Sequence, residues 1–267
     1  MPRGRYLHPH SKRRRTRRYT YSPPPGNHPF YGYAPAIAAP LAQPAAAVPV
    51  DLRPLCLPIR QQLDGHACSG YAFAALRELS HAAAVGALLP GYLSAAYLWT
   101  QARIVEGHFP LDFDIVSLAD CASVIQNYGV CPESFFPDTT DPSVAPESAA
   151  NTAAAQFKTD GLASVSTFTP AVVNSVLSAN PAQGLAVGID VYDSFESVDA
   201  SGMIPMPGPA ESLLGGHVVL ICGFDPVQGF WIVRNSQGAS WGAGGYGYMP
   251  YAYASNWHEA WTMTAQS

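Results

Sequence analysis

The sequence predicts an α+β protein of two lobes, because helical patterns come first along the chain and strand patterns follow. Between residues 68 and 177, apolar side chains recur at three- and four-residue spacing, as on the buried face of a helix. After Pro181 the chain changes to short segments rich in Val, Ile, Tyr and Trp, separated by glycines and prolines, which is typical of strands. A chain of 267 residues is long enough to bury a sizeable core.

The first fifty residues differ in composition from the rest of the chain. They carry eight Lys and Arg and no acid, a balance of +8, whereas the remainder has a balance of −13. A dense cationic run lies within residues 1–20, and residues 21–50 are rich in Pro, Ala and Tyr without periodicity. Such a segment cannot bury enough apolar surface to offset its ordering entropy. We therefore expect a tail over residues 1–50 that is disordered in isolation, and a folded domain over residues 51–267.

The first three helices have recognisable start and stop signals. The first is expected from Cys68 to about Gly86, since glycine is a common C-terminal stop. Ser94 predicts the N-cap of a second helix. Ser117 opens a capping-box pattern for a third, which we expect to end at Gly129.

The later elements follow from composition and proline placement. Residues 147–157 are alanine-rich and weakly helical in pattern. Pro170 suits the first position of a short helix that ends near Leu177. Strands are predicted at residues 184–191, 217–224, 230–234 and 245–251.

Cysteine usage and the N-terminal composition exclude several classes of protein. The five cysteines show no CxxC spacing, so we expect no structural zinc or other metal site. The basic N-terminus lacks the apolar run of a signal peptide, and no segment suggests a membrane span. Free thiols indicate a reducing compartment, the cytoplasm or nucleus, or a virion.

Cys68 is the first candidate for chemistry, because it lies in the first turn of the predicted helix, after a loop marked by Gly65. The unpaired N–H groups and the dipole of a helix start favour a thiolate, so we expect a lowered pKa for this cysteine. A thiolate becomes a useful nucleophile when a base lies nearby. The alternative is a buried cysteine that acts as a small apolar side chain.

His217 and Asn235 are the candidate partners of Cys68. His217 follows two glycines and opens an apolar run, and Asn235 ends the next strand. A cysteine nucleophile needs a proton acceptor, and a histidine base needs a third group to fix its ring. The Gln62 side-chain amide and the Cys68 backbone N–H are candidate donors to an oxyanion. Taken singly, His217 also fits a histidine at the core edge, and Asn235 an ordinary turn residue.

Together these segments resemble the papain-like cysteine peptidases over about residues 51–267. The resemblance is closest to the compact, disulfide-free branch found in prokaryotes and viruses. The separation of Cys68 and His217 lies within the about 130–150 residues usual for this arrangement. The matching segments are Gln62 with Cys68–Phe73, Tyr128–Ser134, Val191–Phe195, Gly215–Leu220 and Arg234–Gly242.

The resemblance implies a fold and a set of roles. The fold would have a helical lobe over about residues 51–157, a β-barrel-like lobe over about residues 158–267, and a cleft between them. Peptide or protein substrates would be hydrolysed through a thioester acyl-enzyme, without a cofactor. The implied roles are nucleophile for Cys68, general base and later acid for His217, orienting group for Asn235, oxyanion donor for Gln62, and support for the Asn–His pair by Trp241.

The chain departs from the family pattern at three places. Gln237 stands where a tryptophan is usual, which predicts an Asn–His hydrogen bond less shielded from water. His66 and Ala67 replace the small pair before the nucleophile. Ile115 and Val116 replace two glycines that pair with substrate backbone in the family.

These departures keep other functions open. One is a structural or interaction protein, such as a virion component, that keeps the fold and binds nucleic acid or an acidic partner through the basic run in residues 1–20. That run also fits a nuclear-import signal, or a solubilising tail with no specific partner. Acyl transfer or deamidation would use the same residues as hydrolysis. We expect no membrane partner.

Overall fold

The computed structural model describes the backbone of residues 36–37 and residues 48–62, 67–110, 116–139, 141 and 143–264. The predictions for the basic run, for His66 and for Ile115 lie outside these residues. No helix within the described ranges is long and apolar enough to cross a membrane.

The first half of the folded chain is helical, as the sequence predicts. The helices are α1 Cys68–Val85, α2 Ala95–Val105, α3 Leu118–Asn127 and α4 Ser148–Ala154, the last continued by a 3-10 turn at Ala155–Phe157. Gly86 ends α1 in the left-handed conformation, with φ of 75°. The Ser94 side chain caps α2, and Ser117 caps α3 in a full capping box with Asp120.

The second half of the chain supplies six of the eight described strands of one sheet. Eight strands are found in the described residues, and their order is β1-β3-β8-β4-β5-β6-β7, with β2 paired separately to β5. Pro170 is the first residue of α5 Pro170–Leu177, as predicted, and the Thr169 side chain caps this helix. The sheet is antiparallel except for the β1–β3 pair. The strands are β1 Ala36–Ile37, β2 Val50–Asp51, β3 Leu162–Val165, β4 Leu185–Tyr192, β5 Leu213–Asp225, β6 Phe230–Arg234, β7 Tyr246–Pro250 and β8 Trp257–Met263, and a short helix α6 lies at Asp193–Glu196.

The expectation of a barrel-like lobe is wrong, because the sheet stays open. Within the described residues, β3 and β7 lie towards opposite ends of the sheet and do not pair with each other. Short segments occupy their outer sides instead. β1 pairs with β3, and Met203 forms a bridge to Tyr248 of β7. A closed barrel would need the outer edges of β3 and β7 to hydrogen-bond to each other.

The helical layer packs on the sheet through α1, which places the start of that helix against the strands. The side chains of α1 are buried from Cys68 to Ser80, and α1 lies against both α2 and β5. Gly70 permits the approach of α2, since a Cβ there would lie 2.3 Å from the Ala95 carbonyl oxygen. The closeness of these elements fixes Cys68 beside the strand that carries His217.

Candidate active site

Cys68 is the first residue of α1 and is almost fully buried, with 3% of its surface exposed. Burial raises the pKa of its thiol to about 11, although the backbone N–H groups of Val218, Ser69 and Cys68 itself act in the opposite direction. The lowered pKa expected from the helix start is therefore wrong for this structure. The N–H groups at the helix start are present, but the loss of solvent outweighs them.

His217 and Asn235 lie on neighbouring strands and are hydrogen-bonded. His217 is in β5, and Asn235 directly follows β6, which pairs with β5. The Nε2 and Oδ1 atoms of the two side chains are 2.9 Å apart. Asn235 Oδ1 also accepts the backbone N–H of Ser236 at 2.8 Å. An oxygen that accepts from both sides requires the proton on Nε2, which leaves Nδ1 as the basic nitrogen of a neutral ring.

The structure brings Cys68 to the same strand as His217. The Cys68 thiol is near the backbone N–H of Val218, the residue after His217, and this N–H group acts to lower the pKa of the thiol. The Cys68 sulfur therefore lies at the His217 segment of β5, on the face where α1 packs.

Gln62 is tied to the loop that contains Asn235. Its backbone N–H donates to the Ser236 carbonyl at 2.7 Å, and the preceding residue, Gln61, forms an antiparallel bridge with Gln237. The Ser236 hydroxyl donates to Gln62 Oε1 at 2.6 Å. This bond fixes the side-chain amide by its oxygen end, so the N–H₂ group points away from Ser236.

Two aromatic rings lie beside the histidine, one in contact with it and one packed on the first. Phe195 meets the His217 ring edge-on, with 6.2 Å between centroids. Trp241 packs on Phe195 at 5.1 Å and donates its indole N–H to the Phe195 carbonyl at 3.0 Å. Sequence reasoning assigned support to Trp241 and missed Phe195, although Phe195 ends one of the segments that carry the family resemblance.

The departure at Gln237 does not open the Asn–His pair to water in this structure. Gln237 is itself buried, and His217 and Asn235 are 1% and 3% exposed. Val116, one of the two residues that replace the family's glycine pair, is also buried.

The fold and its arrangement of helix and sheet place the chain in a known class. The family model described as "Papain family cysteine protease" matches residues 116–263, more than half of the chain. The protein therefore belongs to the papain family of cysteine proteases. The matched range contains His217, Asn235 and Trp241, and it begins after Gln62 and Cys68.

Solved structures agree with this assignment. Xylellain, a cysteine protease from Xylella fastidiosa, superposes with a TM-score of 0.82 at 25% identity, over 96% of this chain and 99% of that one. A Carica candamarcensis cysteine protease in complex with E-64 has a TM-score of 0.61 at 19% identity, over 82% of this chain and 99% of its own. At that identity the second likeness shows the fold alone.

Curated relatives match shorter segments. An uncharacterized peptidase C1-like protein of Acanthamoeba polyphaga mimivirus is 37% identical over 87 residues, which are 32% of this chain and 27% of the relative. A cysteine protease of Blomia tropicalis is 49% identical over 41 residues, 15% of this chain and 12% of its own. The chain thus matches less than a third of the length of either relative.

Proposed function

We propose that the protein is a cysteine peptidase that hydrolyses peptide bonds with Cys68, His217 and Asn235. The observation that carries the proposal is the hydrogen bond of 2.9 Å between His217 and Asn235. Cys68 is the first residue of α1, the helix that packs against the strand of His217. A nucleophile, a base and an orienting group in this order are the parts that acyl transfer by a cysteine requires.

In the first step, His217 Nδ1 takes the thiol proton while the Cys68 sulfur attacks the substrate carbonyl carbon. The raised pKa of Cys68 makes this base necessary, because few thiols of the resting protein are ionised near neutral pH. Charge then develops on the carbonyl oxygen, and the Gln62 amide and the Cys68 N–H are the donors for it.

In the second step, the His217 imidazolium gives its proton to the leaving amine, and the C–N bond breaks to leave a thioester on Cys68. Water then attacks the thioester with His217 as base, and the acid product leaves as the thiol regains its proton. Asn235 accepts from Nε2 throughout, so the ring keeps one orientation and one tautomer, with Nδ1 as its basic nitrogen.

Cys68 and His217 expose little surface in the structure, so a bulky reagent meets more neighbouring groups at the sulfur than a small one does. We therefore expect small electrophiles to label Cys68 faster than bulky ones, relative to their rates with a free thiol.

The test is covalent labelling together with turnover of an unfolded protein substrate. E-64, the compound bound by the Carica candamarcensis enzyme, should label Cys68 of the full chain, as located by peptide mapping. Cys68→Ala and His217→Ala should lower kcat by roughly 10⁴-fold or more, and Asn235→Ala should lower it less. Cys131→Ser is a matched control that removes another buried thiol and should keep both labelling and turnover. A folded wild-type chain that neither hydrolyses substrate nor reacts at Cys68 would refute the proposal.

A further inference from the structure

A second pair of thiols lies outside the proposed catalytic site. The backbone N–H of Leu52 donates to the Cys222 carbonyl at 2.8 Å, which extends the pairing of β2 with β5. The chain then turns through a 3-10 helix at Arg53–Leu55. This turn brings Cys56 back over Leu52, where its thiol donates to the Leu52 carbonyl at 3.6 Å. The Cys56 and Cys222 side chains lie close enough for each to shift the pKa of the other.

The environments of the two thiols differ in a way that suits a stepwise reaction. Cys56 is half-buried, and Cys222 is fully buried. Interaction with the Cys222 thiol lowers the pKa of Cys56, burial opposes this, and the Arg234 guanidinium lowers the pKa further. The chain's five cysteines all lie in described residues, and the pKa of each of the other four is raised. Cys56 is thus the thiol most readily ionised and also partly accessible, as a peroxide-reactive cysteine needs to be.

We propose that Cys56 and Cys222 are a redox-active pair that a hydroperoxide converts reversibly into a disulfide. The Cys56 thiolate attacks a peroxide oxygen, the O–O bond breaks, and the leaving oxygen takes up the proton that the Cys56 thiol had released, so that the products are a Cys56 sulfenic acid and water or an alcohol. The Cys222 sulfur then attacks the sulfenic sulfur, its thiol proton leaves with the hydroxyl group as a second water, and the S–S bond forms. Two thiols are oxidised and one peroxide is reduced.

The disulfide would join two segments that the candidate active site depends on. Cys56 lies on the arm that runs to Gln62, and Cys222 lies on β5 after His217. A covalent link there would hold the arm of the oxyanion donor to the strand of the base. Because the link closes a loop containing most of the folded domain, it would also restrict the unfolded chain strongly. The inference does not depend on catalysis and holds equally for an inactive chain.

The test uses the full chain carrying Cys68→Ala, so that the proposed nucleophile takes no part. After hydrogen peroxide treatment, remaining thiols are alkylated and the protein is digested for mass spectrometry. We expect one cross-linked peptide pair joining Cys56 to Cys222, lighter than the reduced pair by two hydrogen atoms and reversed by dithiothreitol. The Tm should rise by about 5 °C or more on oxidation.

Cys56→Ser, made in the same background, should lose both the cross-link and the rise in Tm, whereas Cys131→Ser should keep both. Cys222→Ala should leave a sulfenic acid at Cys56 that dimedone traps. Two results would overturn the proposal: a dimedone adduct at Cys56 with Cys222 present and no cross-link, or peroxide oxidation that leaves Cys56 unmodified.

Discussion

At the scale of single residues, Cys68 shows two effects of opposite sign. A helix start stabilises a nearby negative charge by about 0.3–1 kcal/mol at exposed sites. Burial takes the pKa of this thiol to about 11 from an ordinary value of 9.0, a difference worth about 2–3 kcal/mol. The larger effect wins. The helix start can be predicted from sequence, but the burial comes from β5 packing against α1, so a pKa argument from local sequence had the wrong sign.

This raised pKa predicts a pH dependence of stability. Between the unfolded and folded pKa values the folded chain holds a proton at Cys68 that the unfolded chain releases. The stability that the protonated Cys68 thiol contributes to the folded chain is therefore fully present below about pH 9 and is lost as pH rises through about 11. Relative to Cys68→Ala, the wild type should lose about 2–3 kcal/mol of unfolding free energy across this range, measured by urea denaturation at several pH values. Parallel profiles for the two proteins would contradict it.

At the scale of secondary structure, the elements with local signals could be predicted and others, among them β3 and β8, could not. Ser94 and Ser117 each cap the helix that their position predicts, and Pro170 opens α5 as predicted. The prediction missed β3 and β8, and β8 lies between β3 and β4. β8 contains the charged Glu259 among apolar residues, and that side chain is buried. Its burial depends on partners more than a hundred residues away along the chain, which no local pattern reveals.

Those partners make Glu259 a remote cap for α3. One carboxylate oxygen accepts the Ala119 N–H at 2.9 Å, and the other accepts the Leu118 N–H at 3.2 Å. The Trp261 indole N–H donates to the same carboxylate at 2.8 Å. The charge thus lies at the N-terminus of a helix in the other layer, where the helix dipole favours it.

We expect Glu259→Gln to destabilise the fold by about 1–3 kcal/mol, since an amide replaces a charged acceptor of three buried donors and adds donors of its own. Chemical denaturation measures the change. Glu147→Gln is the matched control, because Glu147 also lies at the N-terminus of a helix, α4, but its side chain makes no capping hydrogen bond there. Equal and small effects for the two variants would show that Glu259 does not stabilise α3 in this way.

At the scale of the whole molecule, the sequence could predict an α+β protein with helices before strands, but not whether the sheet would close into a barrel. Alternating strand patterns specify which residues face the core, and they contain no information on whether the first and last strands meet. That outcome depends on short segments, β1 and Met203, which lie along the outer strands. The residues of the candidate site were found because each has a characteristic neighbour in sequence. Phe195 was missed because its role is contact with a ring from another element.

The arm that leads to Gln62 is fixed between the layers by Arg60. Its guanidinium donates to the Leu93 carbonyl at 2.9 Å and lies 3.5 Å from the carboxylate of Glu78. The rings of Tyr71 and Tyr92 lie 4.9 and 4.7 Å from the same guanidinium. On the other side, the Arg60 backbone carbonyl accepts the N–H of Gly238 at 3.1 Å. Arg60 therefore connects three parts of the fold: α1, the segment that precedes α2, and the loop after β6.

Arg60→Ala should lower the free energy of unfolding by roughly 3–5 kcal/mol, because it removes the cation that is paired with the buried Glu78 carboxylate. Arg53→Ala is the matched control. Its ion pair with Asp51 is about two-fifths exposed, so its loss should cost about 1 kcal/mol or less. Adding Glu78→Gln to Arg60→Ala should recover part of the loss, because the second change removes the uncompensated charge. A double-mutant cycle with no coupling between Arg60 and Glu78 would show instead that packing against the two tyrosine rings accounts for the stability that Arg60 provides.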